Sequence, residues 1–95
     1  MKDIPILDKK LIKIGYGFHF TIPKQYISNK LIDIKSKYNI RVMEKEVFID
    51  TFKNIKVRKI GDSFYFPIPV YEINEGNLFK KISYNLFITL VSCGT

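Results

Sequence analysis

The sequence predicts a single, mainly β domain with one short helix, and three observations support this prediction. The chain has 95 residues, which is enough for one modest hydrophobic core but not for two independent ones. Its aromatic residues are six Tyr and eight Phe with no Trp, and Phe, Tyr and Ile all favour strands. The third observation is an internal repeat in which apolar and polar residues alternate, as they do along strands with one buried face.

The internal repeat joins two ten-residue segments, 14–23 and 60–69, which read IGYGFHFTIP and IGDSFYFPIP. Identical residues occur at an offset of 46. A second match, between 47–50 (VFID) and 86–89 (LFIT), has an offset of 39. The two offsets differ by seven residues, which is about two turns of helix. We therefore expect the second copy to lack a helix that the first copy keeps.

Each copy is expected to begin with a strand, a glycine-containing turn and a second strand. The first strands and turns are predicted at 10–14 with 15–17, and at 56–60 with 61–63. Along the next strand of the first copy, alternation places Phe18, Phe20 and Ile22 in the core and His19 outside. Because His19 corresponds to Tyr65 in the second copy, we expect an exposed aromatic position there and not a metal ligand.

Proline placement predicts the single helix, in the first copy. Pro23 can occupy a first helical turn, and the apolar residues after it have helical spacing. In the second copy Pro67 and Pro69 stiffen the corresponding segment, so no regular helix is expected there.

Each copy is predicted to close with a hairpin, of 38–43 with 47–51 in the first and of 78–82 with 86–91 in the second. Residues 83–85 would form the second turn, and 51–55 a linker between the copies. Residues 1–7 should form a loose or edge-pairing tail, since Pro5 argues against a central strand. The predicted organisation is one domain, 1–95, with repeats 9–50 (with helix) and 56–91 (without helix).

The net charge of +7 favours a polyanionic partner, because Lys and Arg neutralise phosphates and release counterions. The alternative is a solvated Lys-rich surface, as in proteins of thermophiles. One Cys and one His cannot build a disulfide or a metal site, and no phosphate-binding loop is present. We expect no catalytic residues, no metal and no cofactor.

The sequence contains no signal peptide and no membrane-spanning segment. Its longest apolar stretch, at 86–91, is far shorter than the roughly 20 residues that a membrane helix needs. We therefore expect a cytoplasmic protein.

The repeated motif resembles the AbrB/MazE/SpoVT swapped-hairpin family of DNA-binding proteins. The residues that carry the resemblance are Lys59-Ile60-Gly61-Asp62-Ser63 with Ile68-Pro69, and Lys13-Ile14-Gly15-Tyr16-Gly17 with Ile22-Pro23. The resemblance covers most of the chain, from about 9 to 91. It implies a swapped-hairpin β-barrel that two tandem copies complete within one chain, with a pseudo-two-fold axis.

The resemblance further implies a non-enzymatic protein that binds double-stranded DNA, such as a transcriptional regulator. Carried over by position, the candidate contacts are Lys13, Arg58 and Lys59. Lys10 and Lys56 join them on charge, and Lys24 follows the first Ile-Pro. Arg58 is the strongest candidate because its planar fork suits both a base edge and a phosphate. The lysines would position the protein on the DNA phosphates or would only keep the strands soluble.

The first copy has Ile12 where the second has Arg58, so asymmetric DNA contacts are expected. An antitoxin or another protein-interaction module is the alternative function. Antitoxins of this family usually add a toxin-binding tail, and this chain ends at Thr95 soon after its last predicted strand. An exposed edge strand could also support a homodimer, which would be a pseudo-tetramer.

Overall fold

The computed structural model describes residues 3–15, 17–68 and 81–92. These residues form eight strands and one short helix. In chain order they are β1 Ile4–Lys10, β2 Ile12–Ile14, β3 Gly17–Ile22, α1 Lys24–Ser28, β4 Lys37–Glu44, β5 Val47–Lys56, β6 Arg58–Ile60, β7 Ser63–Ile68 and β8 Ser83–Ser92. The expectation of a mainly β fold with one short helix is confirmed. Within the described residues, no helix is long and apolar enough to cross a membrane.

The strands form two antiparallel four-stranded sheets, and each sheet contains strands from both halves of the chain. Sheet A has the order β1-β8-β4-β5, and sheet B has the order β2-β3-β7-β6. Within the described residues both sheets are open, so the expectation of a closed barrel is wrong for this part of the chain. β1 is an edge strand of sheet A, which confirms the edge position predicted from Pro5.

The core lies between the two sheets. Phe20 and Phe66 are completely buried and directly opposite each other on β3 and β7. Phe20 makes an edge-to-face contact with Tyr84 at 6.1 Å between ring centroids, and Phe66 makes the same contact with Tyr38 at 6.0 Å. The two sheets therefore pack on each other through two aromatic pairs, and each pair joins one half of the chain to the other.

The two halves of the chain correspond to each other at a constant offset of 46 residues. Residues 46 apart face each other at the centre of each sheet: Phe20 and Phe66 in sheet B, Arg41 and Phe87 in sheet A. Four of the positive backbone φ angles follow the same offset, at Asp8 (60°) and Asn54 (58°) and at Gly15 (61°) and Gly61 (60°). The backbone N–H of Asp8 donates to Oδ1 of Asn85, and that of Asn54 donates to Oδ1 of Asn39.

The offset of 39 inferred from 47–50 and 86–89 is therefore wrong. β8 runs without interruption through 83–85, where a turn was expected, and its partners show that it corresponds to β4. Residues 51–55 belong to β5 and are not a linker. Equal numbers of residues, 23–36 and 69–82, join β3 to β4 and β7 to β8. The expected loss of a helix falls on 69–80, outside the described residues.

The chain passes from sheet A to sheet B twice, at equivalent positions. β1 ends at Lys10 and β5 at Lys56, and the next strands, β2 and β6, begin two residues later. The residue at the first crossing, Leu11, is buried in the core. The continuous strands expected at 10–14 and 56–60 are interrupted at these crossings. At each one, a single residue outside both sheets connects the strand of sheet A to the next strand, in sheet B.

Candidate nucleic-acid interface

The register of sheet B determines which way the candidate DNA-binding side chains point. In an antiparallel pair, residues directly opposite each other share a face. Lys13 lies opposite Phe18, and Lys59 lies opposite Phe64, so both lysines extend from the edges on the core side of the sheet. Arg58 lies opposite Tyr65 and points to the outer face. Arg58 therefore points to the face of sheet B opposite to the one from which Lys13 and Lys59 extend.

The candidates also lie at two different corners of the sheet. β2 and β6 are its opposite edges. Lys13 of β2 is level with Phe18 of β3, whereas Lys59 of β6 is level with Ile22, four residues further along β3. From ordinary strand spacing and rise, these corners are about 20 Å apart. Lys10 and Lys13 are at the β2 corner, and the cations of the second half are at the β6 corner.

The structure collects most of the candidates at the β6 corner, which we call the β6 cluster. Arg58 and Lys59 lie in β6, and Lys56 ends β5 two residues earlier, within about 7 Å of Arg58 along the chain. Lys24 begins α1 just after Ile22, at the end of the sheet where Ile22, Phe64 and Lys59 share a row. Lys37, which the repeated motif does not mark, lies directly opposite Lys56 in the β4–β5 pairing. The β6 cluster comprises Lys24, Lys37, Lys56, Arg58 and Lys59.

The charges of the β6 cluster are exposed, and none of them forms an ion pair with another described residue. All its members are solvent-exposed. Among the described residues the ion pair is that of Arg41 with Asp3, at 3.4 Å on sheet A. Lys59 has a cation–π contact, with its Nζ 5.8 Å from the centroid of Phe64. Such a group of unpaired cations is the arrangement that attracts phosphates.

Each of the two glycine turns beside the candidate cations has one glycine with a positive φ angle. Gly15 and Gly61 have φ angles near +60°, as the first central residue of a type II′ hairpin turn requires. Nothing lies within 4 Å of a Cβ built at either position, so the backbone conformation explains these glycines. Gly17 is different: it is the first residue of β3, and a Cβ there would lie 3.0 Å from Cε1 of His19.

His19 is buried, which makes the expectation of an exposed position wrong. It is 1% exposed on the outer face of sheet B, where the ring lies against Gly17 and makes an edge contact with Tyr65 at 5.7 Å. Neither ring nitrogen has a side-chain or backbone partner of good geometry among the described residues. Burial and, secondarily, the positive charge of Arg58 lower the pKa of His19 below its ordinary value of 6.5. The imidazole is therefore neutral near pH 7.

The described residues contain no group of three or more His, Cys, Asp or Glu side chains arranged as metal ligands. What the β6 cluster offers is a set of charged donors: one guanidinium fork and several ammonium groups. Such groups bind phosphates and the acceptor-rich edge of guanine.

No protein-family model, no curated protein and no solved structure matches the chain significantly. The resemblance to AbrB-like proteins therefore depends on the sequence motifs, and any function has to be argued from the residues themselves.

Proposed function

We propose that this protein binds double-stranded DNA without catalysing a reaction, acting in the cytoplasm as a transcriptional regulator. The observation that carries the proposal is the β6 cluster, in which five exposed cations from three parts of the chain lie around one corner of the fold and form no ion pair among the described residues. We further propose that the interleaved halves represent the swapped-hairpin arrangement of AbrB-like proteins.

The two corners would contribute unequally to binding. At the position equivalent to Arg58 the first half has Ile12, and at the position equivalent to Lys37 the second half has Ser83. The β2 corner therefore offers Lys10 and Lys13 without an arginine. We expect Arg58 to make the principal bidentate contact, and the β2 corner to add a weaker contact. A target without two-fold symmetry follows from this asymmetry.

The proposal is tested by fluorescence anisotropy with a labelled duplex of about 25 base pairs at 50 and 200 mM salt. If about four phosphates are neutralised, the slope of log K against log salt is about −3.6, so affinity falls about 150-fold over this range. Absence of binding at 50 mM salt, or binding that does not depend on salt, would refute the proposal.

Arg58→Ala and Arg41→Ala form a matched pair of variants. Both arginines are exposed, but Arg41 lies on sheet A, over the Phe87 ring and paired with Asp3. We expect Arg58→Ala to weaken binding by about 10-fold or more, as the loss of one bidentate contact does. Arg41→Ala should change affinity less than twofold. Equal losses in the two variants would show that only net charge matters.

A protein-interaction module, such as an antitoxin, is the second candidate. The β4–β5 hairpin favours it, because Val47 and Phe48 at the start of edge strand β5 are 63% and 55% exposed. Apolar side chains beside an unpaired strand edge are typical of protein-binding surfaces. If this hairpin associates with a second copy, Phe48→Ser should abolish concentration-dependent association in sedimentation experiments while leaving DNA affinity unchanged.

A further inference from the structure

Two lysines face each other where the fold does not require it. Lys37 of β4 and Lys56 of β5 are directly opposite partners, and both are exposed. Side chains in such a pair start about 5 Å apart, and like charges at this position destabilise a sheet. At the equivalent place in the first half, Lys10 faces Ser83. The equivalent pair in this protein, Lys10 with Ser83, therefore carries one positive charge and not two.

No acidic side chain within the described residues forms an ion pair with this lysine pair. The nearest acidic residue along the chain before Lys37 is Asp33, and its carboxylate is already engaged: one oxygen accepts from the backbone N–H of Lys35 and the other from the Ser36 hydroxyl. Along the chain, the next charged residue after Lys56 is another cation, Arg58. Within the described residues, no ion pair compensates the repulsion between the two ammonium groups.

We propose that Lys37 and Lys56 together hold one phosphate group of the DNA backbone, which makes Lys37 a binding residue that the sequence motif does not contain. This inference rests on the proposed function. A phosphate between the two ammonium groups accepts a charge-assisted hydrogen bond from each through its two free oxygens. It also replaces repulsion with attraction, so this contact strengthens binding by more than an isolated surface lysine would.

The test compares Lys37→Ser with Lys53→Ser. Lys37→Ser introduces the residue that the other half uses at Ser83. Lys53→Ser removes the same charge from an exposed position of β5 outside the β6 cluster. Thermal unfolding at low salt without DNA is measured first. Lys37→Ser should raise the Tm because it removes the repulsion, and Lys53→Ser should leave the Tm unchanged.

The same proteins are then titrated with the labelled duplex over a series of salt concentrations. Lys37→Ser should reduce the magnitude of the salt slope by about 1 and weaken binding, whereas Lys53→Ser should reproduce the wild-type slope. Lys56→Ser should behave like Lys37→Ser. A variant that is more stable alone and weaker on DNA is the expected signature.

The outcomes separate the two proposals. If wild-type protein binds the duplex but the slopes of Lys37→Ser and Lys53→Ser are equal, the lysine pair is not a phosphate site, and the proposed function stands. If wild-type protein does not bind at 50 mM salt, both proposals fail.

Discussion

Replacing Phe20 or Phe66 by Leu tests whether the two halves of the chain share one core. Both rings are completely buried, they face each other across β3 and β7, and each contacts a Tyr of sheet A. Phe20 contacts Tyr84 of the second half, and Phe66 contacts Tyr38 of the first. Each substitution therefore removes a contact between halves, and the two should have equal effects because their surroundings correspond at the offset of 46 residues.

The expected cost is about 2 kcal/mol for each substitution. Truncation of a buried Phe to Ala costs about 3–5 kcal/mol, and Leu retains roughly half of the buried side chain. This value includes about 1 kcal/mol for the lost aromatic pair. In a domain of this size, such a change lowers the Tm by about 8–16 °C. Because the two rings are neighbours, the double substitution should not be additive.

The assay is urea unfolding followed by circular dichroism and by tyrosine fluorescence. Each variant should unfold in one transition with both signals coincident. Phe87→Leu serves as a control in sheet A, where Phe87 lies opposite Arg41 and its ring is only half-buried. This substitution should lower the free energy of unfolding by less than about 1 kcal/mol. Two separate transitions, or strictly additive costs, would refute a shared core.

Three further predictions concern single positions. Burial and the charge of Arg58 lower the pKa of His19 in the folded protein, so as the pH falls the unfolded chain binds a proton at this residue before the folded one does. The contribution of the neutral His19 to the free energy of unfolding is therefore fully present above pH 6.5, and it is lost as the pH falls below 6.5 towards the folded-state pKa. Urea midpoints at pH 7.5 and 5.5 should show this loss, and His19→Leu should remove the contribution; an unchanged pH dependence in that variant would contradict the assignment. Gly61→Ala should cost about 1–2 kcal/mol in the same assay, because the Cβ meets open space but φ is +60°; a neutral effect would mean that the turn relaxes. Lys45 has a φ of 55° in the β4–β5 turn, so Lys45→Gly should stabilise by about 0.5–1 kcal/mol, and a loss of stability would argue against this turn conformation.

The parts of the fold that the sequence predicts are those with distinctive local chemistry. The glycine turns and the alternation of Phe18, Phe20 and Ile22 indicate the hairpins of sheet B, and these are present. The offset of 39 is wrong because LFIT at 86–89 resembles VFID at 47–50 only through a short apolar pattern that many strands share. The Tyr-Asn pairs at 38–39 and 84–85 preserve the offset of 46 and mark the strands that correspond.

The candidate site was predictable in composition but not in geometry. Charge and motif identify Arg58 and Lys59, yet only strand register shows that Lys13 lies at a different corner. Lys37 joins the site through pairing with Lys56, across a separation of 19 residues that no local pattern specifies. The burial of His19 depends on the missing side chain of Gly17 and on the Tyr65 ring across the sheet.

The pairing of β1 with β8 has a consequence for how the protein is made. Ile4 lies opposite Ile88, so β1 leaves the ribosome long before β8, the strand with which it forms its hydrogen bonds. Pairings of such long range are slow to form. During synthesis the apolar side of β1, including Ile6, is exposed, and this interval is when the chain is most open to chaperones, to proteases and to aggregation.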